Sequence, residues 1–356
     1  MMENITLQPI LASSITKAAS QQTYYTIRFL VDRERVADAF RAYAYFRCVD
    51  DTLDSEDLAL PLSCTSGTTL APPVICLANQ AGVVSGATRS LGSVVEAPKI
   101  EAPGSARIAF LERQKSLLEK CYRGERPQEG TAEERMLIEL VRQDHEKNSG
   151  LQSYLRNMMQ VMDFDANRRG KWVSQAELNE YTHWLAVAVT EAMHYFIGHG
   201  YSSPHDETRY LAVAGAHITH MLRDTFDDVQ AGYYNIPREV LEAGAMDPQD
   251  TQKQAYRAWV KSRVQLAREY FKAGKEYLAR VEQPRCRLAG LAYTARFEWL
   301  LDTIEQEGYS LRPDYSERKS FGTGLQMSLA TLSSFINLRG VGSLPQTAVS
   351  QSLRKL

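Results

Sequence analysis

Two clusters of aspartates lie inside apolar, helix-forming stretches, and this placement limits the folds open to the chain. The first cluster comprises Asp50, Asp51 and Asp54, and the second comprises Asp224, Asp227 and Asp228. Each cluster contains two carboxylates one helical turn apart. Buried carboxylates are costly unless a cation or an arginine compensates them. The fold therefore has to supply such a partner beside both helices.

Helical periodicity dominates the sequence. Apolar residues recur at three- and four-residue steps, whereas strand-like alternation is nearly absent. The helical segments are 24–55, 106–123, 132–163, 174–199, 207–231, 252–282 and 285–308. Glycine and proline fall mainly between them. This pattern predicts an all-α protein, with residues 1–340 as a single domain and residues 341–356 as a frayed tail.

One long segment, 58–104, breaks the helical pattern. It is rich in Pro, Gly, Ser, Ala and Val, and its only charged residues are Arg89, Glu96, Lys99 and Glu101. Loops of this length are commonly disordered or serve as lids. The segment is therefore interpreted as an irregular insertion without a role or, because it follows the first cluster, as a mobile cover over the site.

Composition excludes several classes of partner. The chain has 356 residues, 44% hydrophobic and 24% charged, with a net charge of −2. Such a charge gives no general attraction to nucleic acid. The sequence shows no apolar run of about 18 residues, so no membrane-spanning helix is expected, and the start lacks the pattern of a secretion signal. These features predict a cytoplasmic protein, with peripheral membrane contact only if its product is apolar.

The cysteine pattern argues against a structural zinc site. The five cysteines are Cys48, Cys64, Cys76, Cys121 and Cys286, and none forms a CxxC pair. Reduced thiols are the expectation in a cytoplasmic setting, and a Cys64–Cys76 disulfide is the alternative in an oxidising compartment.

Helical projection groups the polar residues around each cluster. At about 100° per residue, Tyr43 and Arg47 share one stripe with Asp50 and Asp54, and Asp51 lies at its edge. A solvated helix surface is the usual explanation for a single acidic cluster. The strongly apolar and aromatic surroundings favour a functional cleft wall here.

The second cluster projects in the same way. His217 and His220 share an arc with Asp224, Asp227 and Asp228, and apolar residues occupy the neighbouring arc. An arginine stands beside the acids of each cluster. Two such clusters facing each other would clamp a diphosphate through Mg²⁺, which prefers carboxylate and phosphate oxygens.

These motifs resemble those of the squalene/phytoene synthase family. Residues 41–54 (RAYAYFRCVDDTLD) resemble its first signature, and residues 221–228 (MLRDTFDD), followed by IPRE at 236–239, resemble its second. Residues 177–181 (ELNEY) and 185–189 (LAVAV) resemble the segment between them. The likeness covers about 20–57 and 105–320 and leaves out 58–104.

This resemblance implies an all-α isoprenoid synthase-type helical bundle with a central cavity, and head-to-head condensation of two prenyl diphosphates. It implies that Mg²⁺ is bound by Asp50, Asp51, Asp54, Asp224, Asp227 and Asp228. It places Arg47, Arg223, Thr23, Tyr24, Tyr181 and Tyr233 at the substrate. Catalytic roles are expected for Tyr43, Asp50, Asp54, Asp224, Asp228, His217 and His220. Arginine suits phosphate because its donors form a planar fork.

The chain departs from the family pattern beside the second cluster. His217 and His220 stand where the family usually has Gln and Asn, and Tyr233 stands where an arginine is common. Val187 and Thr190 replace frequent glycines. The histidines are interpreted as neutral hydrogen-bond donors, as bases that remove a proton, or, with Asp224, as ligands of a softer metal, with packing as the remaining role.

Aromatic residues of the first helical segment are candidates for the cavity wall. Tyr24, Tyr25, Phe29, Tyr43 and Phe46 could face a carbocation, since aromatic faces attract cations. A place in the core is the competing interpretation for each, and Tyr43, on the acidic stripe, is the best candidate.

The leading hypothesis is a Mg²⁺-dependent prenyltransferase that joins two farnesyl or geranylgeranyl diphosphates. The alternatives are prenyl transfer to a non-prenyl, for example aromatic, acceptor, terpene cyclisation, and a non-catalytic scaffold. NADPH use has no support from a Gly-x-Gly-x-x-Gly motif, although squalene-forming members of the family use NADPH without that motif. The sequence does not define an oligomeric state.

Overall fold

The computed structural model describes residues 3–54, 103–125, 127, 130–319, 331 and 333. Within these ranges the chain forms twelve α-helices, two short 3₁₀-helices and no strand. The predicted all-α class is therefore confirmed. The predicted insertion, apart from its last two residues, and the predicted tail lie outside the described residues.

The helices follow one another in this order: α1 (Glu3–Ala19), α2 (Gln21–Leu30), α3 (Val36–Asp54), α4 (Pro103–Tyr122), α5 (Ala132–Gln143), α6 (Gly150–Arg168), α7 (Gln175–Ile197), α8 (Leu211–Arg223), α9 (Thr225–Ala231), α10 (Arg238–Gly244), α11 (Gln254–Arg280) and α12 (Pro284–Gln306).

Helices α6 and α7 stand between the two helices that carry the acidic clusters. Helix α3 packs on α1, α5 and α6, α6 packs on α7, and α7 packs on α8. Helix α8 also packs closely on α11, where a Cβ at Gly274 would lie 2.6 Å from the backbone nitrogen of Ala212. Among the described helices, none is both long and apolar enough to cross a membrane.

Local capping divides some of the predicted helical segments. Segment 132–163 separates into α5 and α6 because Asn148 adopts a positive φ of 56° and Ser149 caps α6 by accepting from the Gln152 N–H at 2.9 Å. Segment 24–55 is divided after Leu30, where the Asp32 N–H donates to the Phe196 carbonyl at 2.8 Å. Helices α1 and α10 are not anticipated by the periodicity.

The second acidic cluster lies on a broken helix. Asp224 adopts φ −92° and ψ 7°, which ends α8 and begins α9. The Thr225 hydroxyl donates back to the Met221 carbonyl at 2.9 Å, a bond that competes with regular helix geometry. The predicted continuous helix over 207–231 is therefore wrong at this point, although the Asp228 N–H still donates to the Asp224 carbonyl at 2.8 Å.

The cysteines differ from the expectation of reduced thiols at one position. Cys121 and Cys286 carry free thiols, whereas Cys48, buried on α3, is disulfide-bonded. The expectation therefore holds for two of the described cysteines and is wrong for Cys48.

Candidate active site

The first acidic cluster lies in the last turns of α3. Arg47 forms an ion pair with Asp51, and its Nη1 atom lies 3.7 Å from Asp50 Oδ2. Tyr43, one turn earlier and buried, interacts electrostatically with Arg47. The structure thus brings together the residues that the helical projection placed on one stripe.

The carboxylates of this cluster lie close together, and their negative charges are only partly compensated. Burial, followed by the charge of Asp54, raises the pKa of Asp50 well above its ordinary value. Burial, followed by the charge of Asp165, raises the pKa of Asp54 to about 6. Asp50 Oδ2 is buried without a hydrogen-bond partner. The end of α3 therefore presents negative charge that an added cation would stabilise.

The second cluster is held in place from two sides. Arg223 donates to both carboxylate oxygens of Asp224 at 2.5 Å, and His220 Nε2 lies 3.2 Å from Asp224 Oδ2. Asp228 accepts from Asn235 Nδ2 at 2.6 Å. Burial, followed by the charge of Asp224, raises the pKa of Asp228 to about 8. Asp227 is exposed, unlike these two aspartates.

Asp165, near the end of α6, connects the two clusters. Burial is the main cause of the raised pKa of Asp50, Asp54 and Asp228, and the negative charge of Asp165 adds to it in all three. Asp165 itself accepts from the Tyr181 hydroxyl at 2.8 Å. The two clusters therefore meet at one acidic centre, as the facing arrangement requires.

Arg168 is the cation built into this centre. Its Nε donates to Asp165 Oδ1 at 2.7 Å and its Nη1 donates to Asn235 Oδ1 at 2.9 Å. The guanidinium lies 5.0 Å from the ring centroids of Tyr181 and Tyr233. Sequence reasoning missed Asp165 and Arg168 because the predicted helical segment stopped at residue 163. A segment extended by one turn would have placed them three residues apart on one face.

Tyr181 and Tyr233 lie where the resemblance placed them, beside the acids. The Tyr181 ring stacks on Phe164 at 4.8 Å and contacts His217 edge-on at 4.7 Å. Burial, followed by the charge of Asp54, raises the pKa of Tyr233. Tyr233, which follows the second cluster in sequence, therefore interacts with the first cluster in space.

The two histidines of α8 have different surroundings. His217 is buried, its Nδ1 lies 3.2 Å from the Thr182 hydroxyl, and burial lowers its pKa well below the ordinary value. A neutral His217 with so low a pKa is a poor base, which favours the role of hydrogen-bonding group. His220 contacts Arg223 and Asp224.

Thr23 and Tyr24 are not brought to the acidic centre. The Thr23 N–H donates to the Ser20 hydroxyl at 3.2 Å in the cap of α2, and Tyr24 stacks on Phe40 at 5.3 Å. From Phe40 to Asp50 the helix rises about 15 Å at 1.5 Å per residue. Their role in substrate binding remains a prediction that this geometry does not favour.

An apolar cavity of about 90 Å³ lies between α2, α3, α7, α8, α11 and α12. Helix α2 turns Thr26 and Ile27 toward it. Tyr25 and Phe29 point outward, with 48% and 71% of their surface exposed. The expectation that these two aromatics line a cavity is therefore wrong.

The cavity and the acidic centre lie along the same helices. From Ala39, on the cavity wall, to Asp50 the chain rises about 16 Å along α3. Tyr293 also lines the cavity and contacts Phe297 at 5.1 Å, and Phe297 lies 6.3 Å from the His220 ring. An aromatic wall thus connects the apolar cavity to the second cluster.

The donor set fits Mg²⁺ that is shared with a substrate. Within the described residues, no three His, Cys, Asp or Glu side chains converge on one metal position. Mg²⁺ usually takes only one or two carboxylates together with water and phosphate oxygens. The Asp50 oxygen that accepts no hydrogen bond and the crowded carboxylates of Asp54 and Asp228 suit such a shared ion.

Comparison with solved structures shows related folds. The squalene synthase HpnC from Alicyclobacillus acidocaldarius is 16% identical, with a TM-score of 0.59, and the alignment covers 88% of this chain and 98% of that one. A dehydrosqualene synthase in complex with ligand is 14% identical (TM-score 0.62; 95% and 99% covered). TcSQS with the ligand BPH1237 is 13% identical (TM-score 0.58; 96% and 94% covered). At these identities the likeness establishes the isoprenoid synthase-type helical fold.

Sequence comparison supplies the family. Among curated proteins, no sequence matches this chain. The squalene/phytoene synthase family matches residues 77–322. The match begins inside segment 58–104, which the motif resemblance left out, and it contains the second cluster but not the first. Because the match spans more than half of the chain, this protein belongs to the squalene/phytoene synthase family and is an enzyme that transfers prenyl groups.

Proposed function

We propose that this protein joins two prenyl diphosphates head to head in a Mg²⁺-dependent reaction, with farnesyl or geranylgeranyl diphosphate as substrate. The observation that supports this most directly is the meeting of both acidic clusters at Asp165. Head-to-head condensation requires a diphosphate to leave from each substrate. Two acidic clusters at one centre provide sites for both diphosphates.

The charged end of the site holds the diphosphates. Arg47 and Arg223 lie beside the aspartates of their clusters, where their guanidinium forks can also bind phosphate oxygens. Bound Mg²⁺ would supply positive charge for the departing diphosphate. Asp50, Asp54, Asp224 and Asp228 are the residues that would hold it.

The apolar end holds the prenyl chains. The cavity wall is formed almost wholly by apolar side chains of six helices, which keeps water from a reactive allylic cation. Tyr293 offers an aromatic face within the wall, and aromatic faces stabilise cations. Buried Tyr43 lies on the helix that connects the cavity to the first cluster. If the product is apolar, we expect this proposed cytoplasmic enzyme to contact a membrane peripherally.

A second candidate function also begins with ionisation of a prenyl diphosphate, but the prenyl group is transferred to a different acceptor. Tyr233, in place of the family's common arginine, lies within electrostatic range of Asp54, and His217 is a neutral group beside Tyr181. These replacements alter the surroundings of the second substrate. Transfer of one prenyl group to a non-prenyl acceptor, or cyclisation, is the function they would support.

Product analysis distinguishes the two candidates. The purified full chain is incubated with Mg²⁺ and either farnesyl or geranylgeranyl diphosphate, with and without NADPH, and the products are identified by mass spectrometry. A C30 or C40 product formed from two substrate molecules supports head-to-head coupling. Pyrophosphate release with only products of single chain length would instead support the second candidate.

A further inference from the structure

The turn that ends α6 packs against the turn that ends α9. Gly170 and Gly232 adopt positive φ angles of 75° and 86°, and the Gly170 N–H donates to the Gly232 carbonyl at 2.8 Å. A Cβ at Gly232 would lie 3.5 Å from Cγ of Arg169, so the two turns approach closely. Arg169 is therefore held beside the end of the second acidic cluster, although it belongs to neither signature motif.

Arg169 is fixed at one end of its guanidinium and open at the other. The Nε atom donates to the Ala231 carbonyl at 3.0 Å, which fixes the direction of the side chain. The two Nη groups, which carry four of the five N–H donors of an arginine, form no hydrogen bond or ion pair within the part of the chain that the structure describes. The residue is exposed, so these donors are accessible to a ligand that enters from solvent.

Arg169 also lies within electrostatic range of the first acidic cluster. Its charge acts on Asp54 and on the Tyr233 phenol, and the charge of Asp54 acts on Tyr233 as well. Asp54 in turn interacts with Asp165, where the two clusters meet. Arg169 therefore stands at the rim of the acidic centre, beside the carboxylates that a diphosphate and its Mg²⁺ would engage.

The three other arginines described at this centre are each occupied by a carboxylate. The pairs are Arg47 with Asp51, Arg168 with Asp165, and Arg223 with Asp224. A guanidinium that already donates to a carboxylate has fewer donors left for a phosphate. Arg169 keeps both Nη groups and is therefore the arginine of the four that is best suited to bind an incoming diphosphate directly.

We propose that Arg169 binds diphosphate oxygens of a prenyl diphosphate at the rim of the acidic centre, through its two Nη groups. This inference rests on the proposed function and adds a substrate-binding residue to it. The planar fork of an arginine can donate two parallel hydrogen bonds to a phosphate. Tyr233 stands where an arginine is common in the family, so the end of α6 supplies the positive charge that the turn after the second cluster lacks.

Calorimetric titration of the purified full chain with inorganic pyrophosphate and Mg²⁺ provides the test, without a prenyl substrate or turnover. Arg169→Met should weaken the affinity about 10-fold, as expected for the loss of one hydrogen bond between charged groups. Arg169→Lys keeps the charge but not the planar fork, so it should recover part of this loss. Lys171→Met removes an exposed positive charge two residues later and should bind pyrophosphate as the wild type does.

The outcomes separate this inference from the proposed function. Equal affinity of the wild type and Arg169→Met for pyrophosphate would overturn the inference and leave the proposed function standing. An equal loss in Lys171→Met would assign the effect to the general charge of the region and would overturn it as well. No binding of pyrophosphate by the wild type in the presence of Mg²⁺ would overturn both. Urea unfolding of the same preparations should confirm that Arg169→Met is folded, because its one hydrogen bond is exposed.

Discussion

Asp165 and Arg168 form an ion pair across one turn of α6, with 2.7 Å between Oδ1 and Nε, and this pair lies where the two acidic clusters meet. Arg168 donates a hydrogen bond to Asn235, and Asn235 donates one to Asp228. Asp165 interacts electrostatically with Asp50 and Asp54. This residue pair, which lies outside both signature motifs, thus connects the two acidic clusters.

Removal of the Arg168 charge should destabilise the protein. Arg168→Met leaves Asp165 without its charged partner, and breaking a buried pair of this kind costs about 3 kcal/mol when one member is partly exposed. Urea unfolding measures the loss. The neighbouring change Arg169→Met removes a bond to the Ala231 carbonyl and a more distant charge interaction with Asp54, but Arg169 is exposed, so this change should cost much less. The double variant Arg168→Met with Asp165→Asn should recover part of the loss, and no recovery would contradict the pairing.

Tyr181→Phe should lower the activity of the protein more than its stability. The hydroxyl donates to Asp165 at 2.8 Å, and loss of one such bond costs about 1 kcal/mol in stability. The larger effect is expected in kcat, because the ring lies between Asp165 and His217. Steady-state kinetics and unfolding of the same preparation measure both quantities. A variant with unchanged kcat would show that Tyr181 is only a packing residue.

The metal-free protein should lose stability as the pH rises. Burial first, and neighbouring acids second, raise the pKa of Asp54 to about 6 and that of Asp228 to about 8, above the unfolded value of about 3.9. Between about pH 4 and 8 the folded state therefore holds protons that the unfolded chain has released, so the free energy of unfolding falls with increasing pH.

Part of this slope can be assigned to Asp228. In the presence of a chelator, Asp228→Asn should make the decline between pH 6 and 8 in urea unfolding less steep, with Asp50 still contributing, and Mg²⁺ should flatten it in the wild type. The exposed change Asp247→Asn serves as the control and should leave the slope as it is. Parallel slopes for Asp228→Asn and wild type would contradict the assignment.

Filling the apolar cavity should shorten the prenyl chain that the enzyme accepts. Ala289 is 5% exposed and lines the cavity, so Ala289→Phe would occupy space meant for the hydrocarbon. Use of geranylgeranyl diphosphate should fall more than use of farnesyl diphosphate, as measured by kcat/KM for each. The adjacent change Leu288→Phe, at an exposed position, should preserve the ratio. Equal losses with both substrates would place the prenyl chains elsewhere.

The sequence predicts the parts of the site that depend on a single helix. Tyr43, Arg47 and Asp50 share a face because one uninterrupted helix carries them, and helical spacing is enough to group them. The break at Asp224 was missed because it depends on a side-chain bond from Thr225 to the preceding turn, which apolar periodicity does not reveal.

The spacing of residues within one helix does not predict contacts between different helices. Asp165 reaches both clusters only because α6 packs between the helices that carry them. Similarly, Tyr25 and Phe29 are aromatic residues on a helix that turns Ile27 inward. Their exposure follows from which face of α2 meets the bundle, and a single helix does not determine that.

Pyrophosphate release tests the central claim most directly. Wild-type protein with Mg²⁺ should release pyrophosphate from farnesyl or geranylgeranyl diphosphate. Asp50→Asn with Asp224→Asn should lose several kcal/mol of transition-state stabilisation, a rate decrease of about 10³-fold or more. The exposed double change Asp247→Asn with Asp302→Asn should release pyrophosphate at the wild-type rate. Absence of pyrophosphate from both substrates with the wild-type protein, or an undiminished rate in the Asp50 and Asp224 variant, would contradict the account.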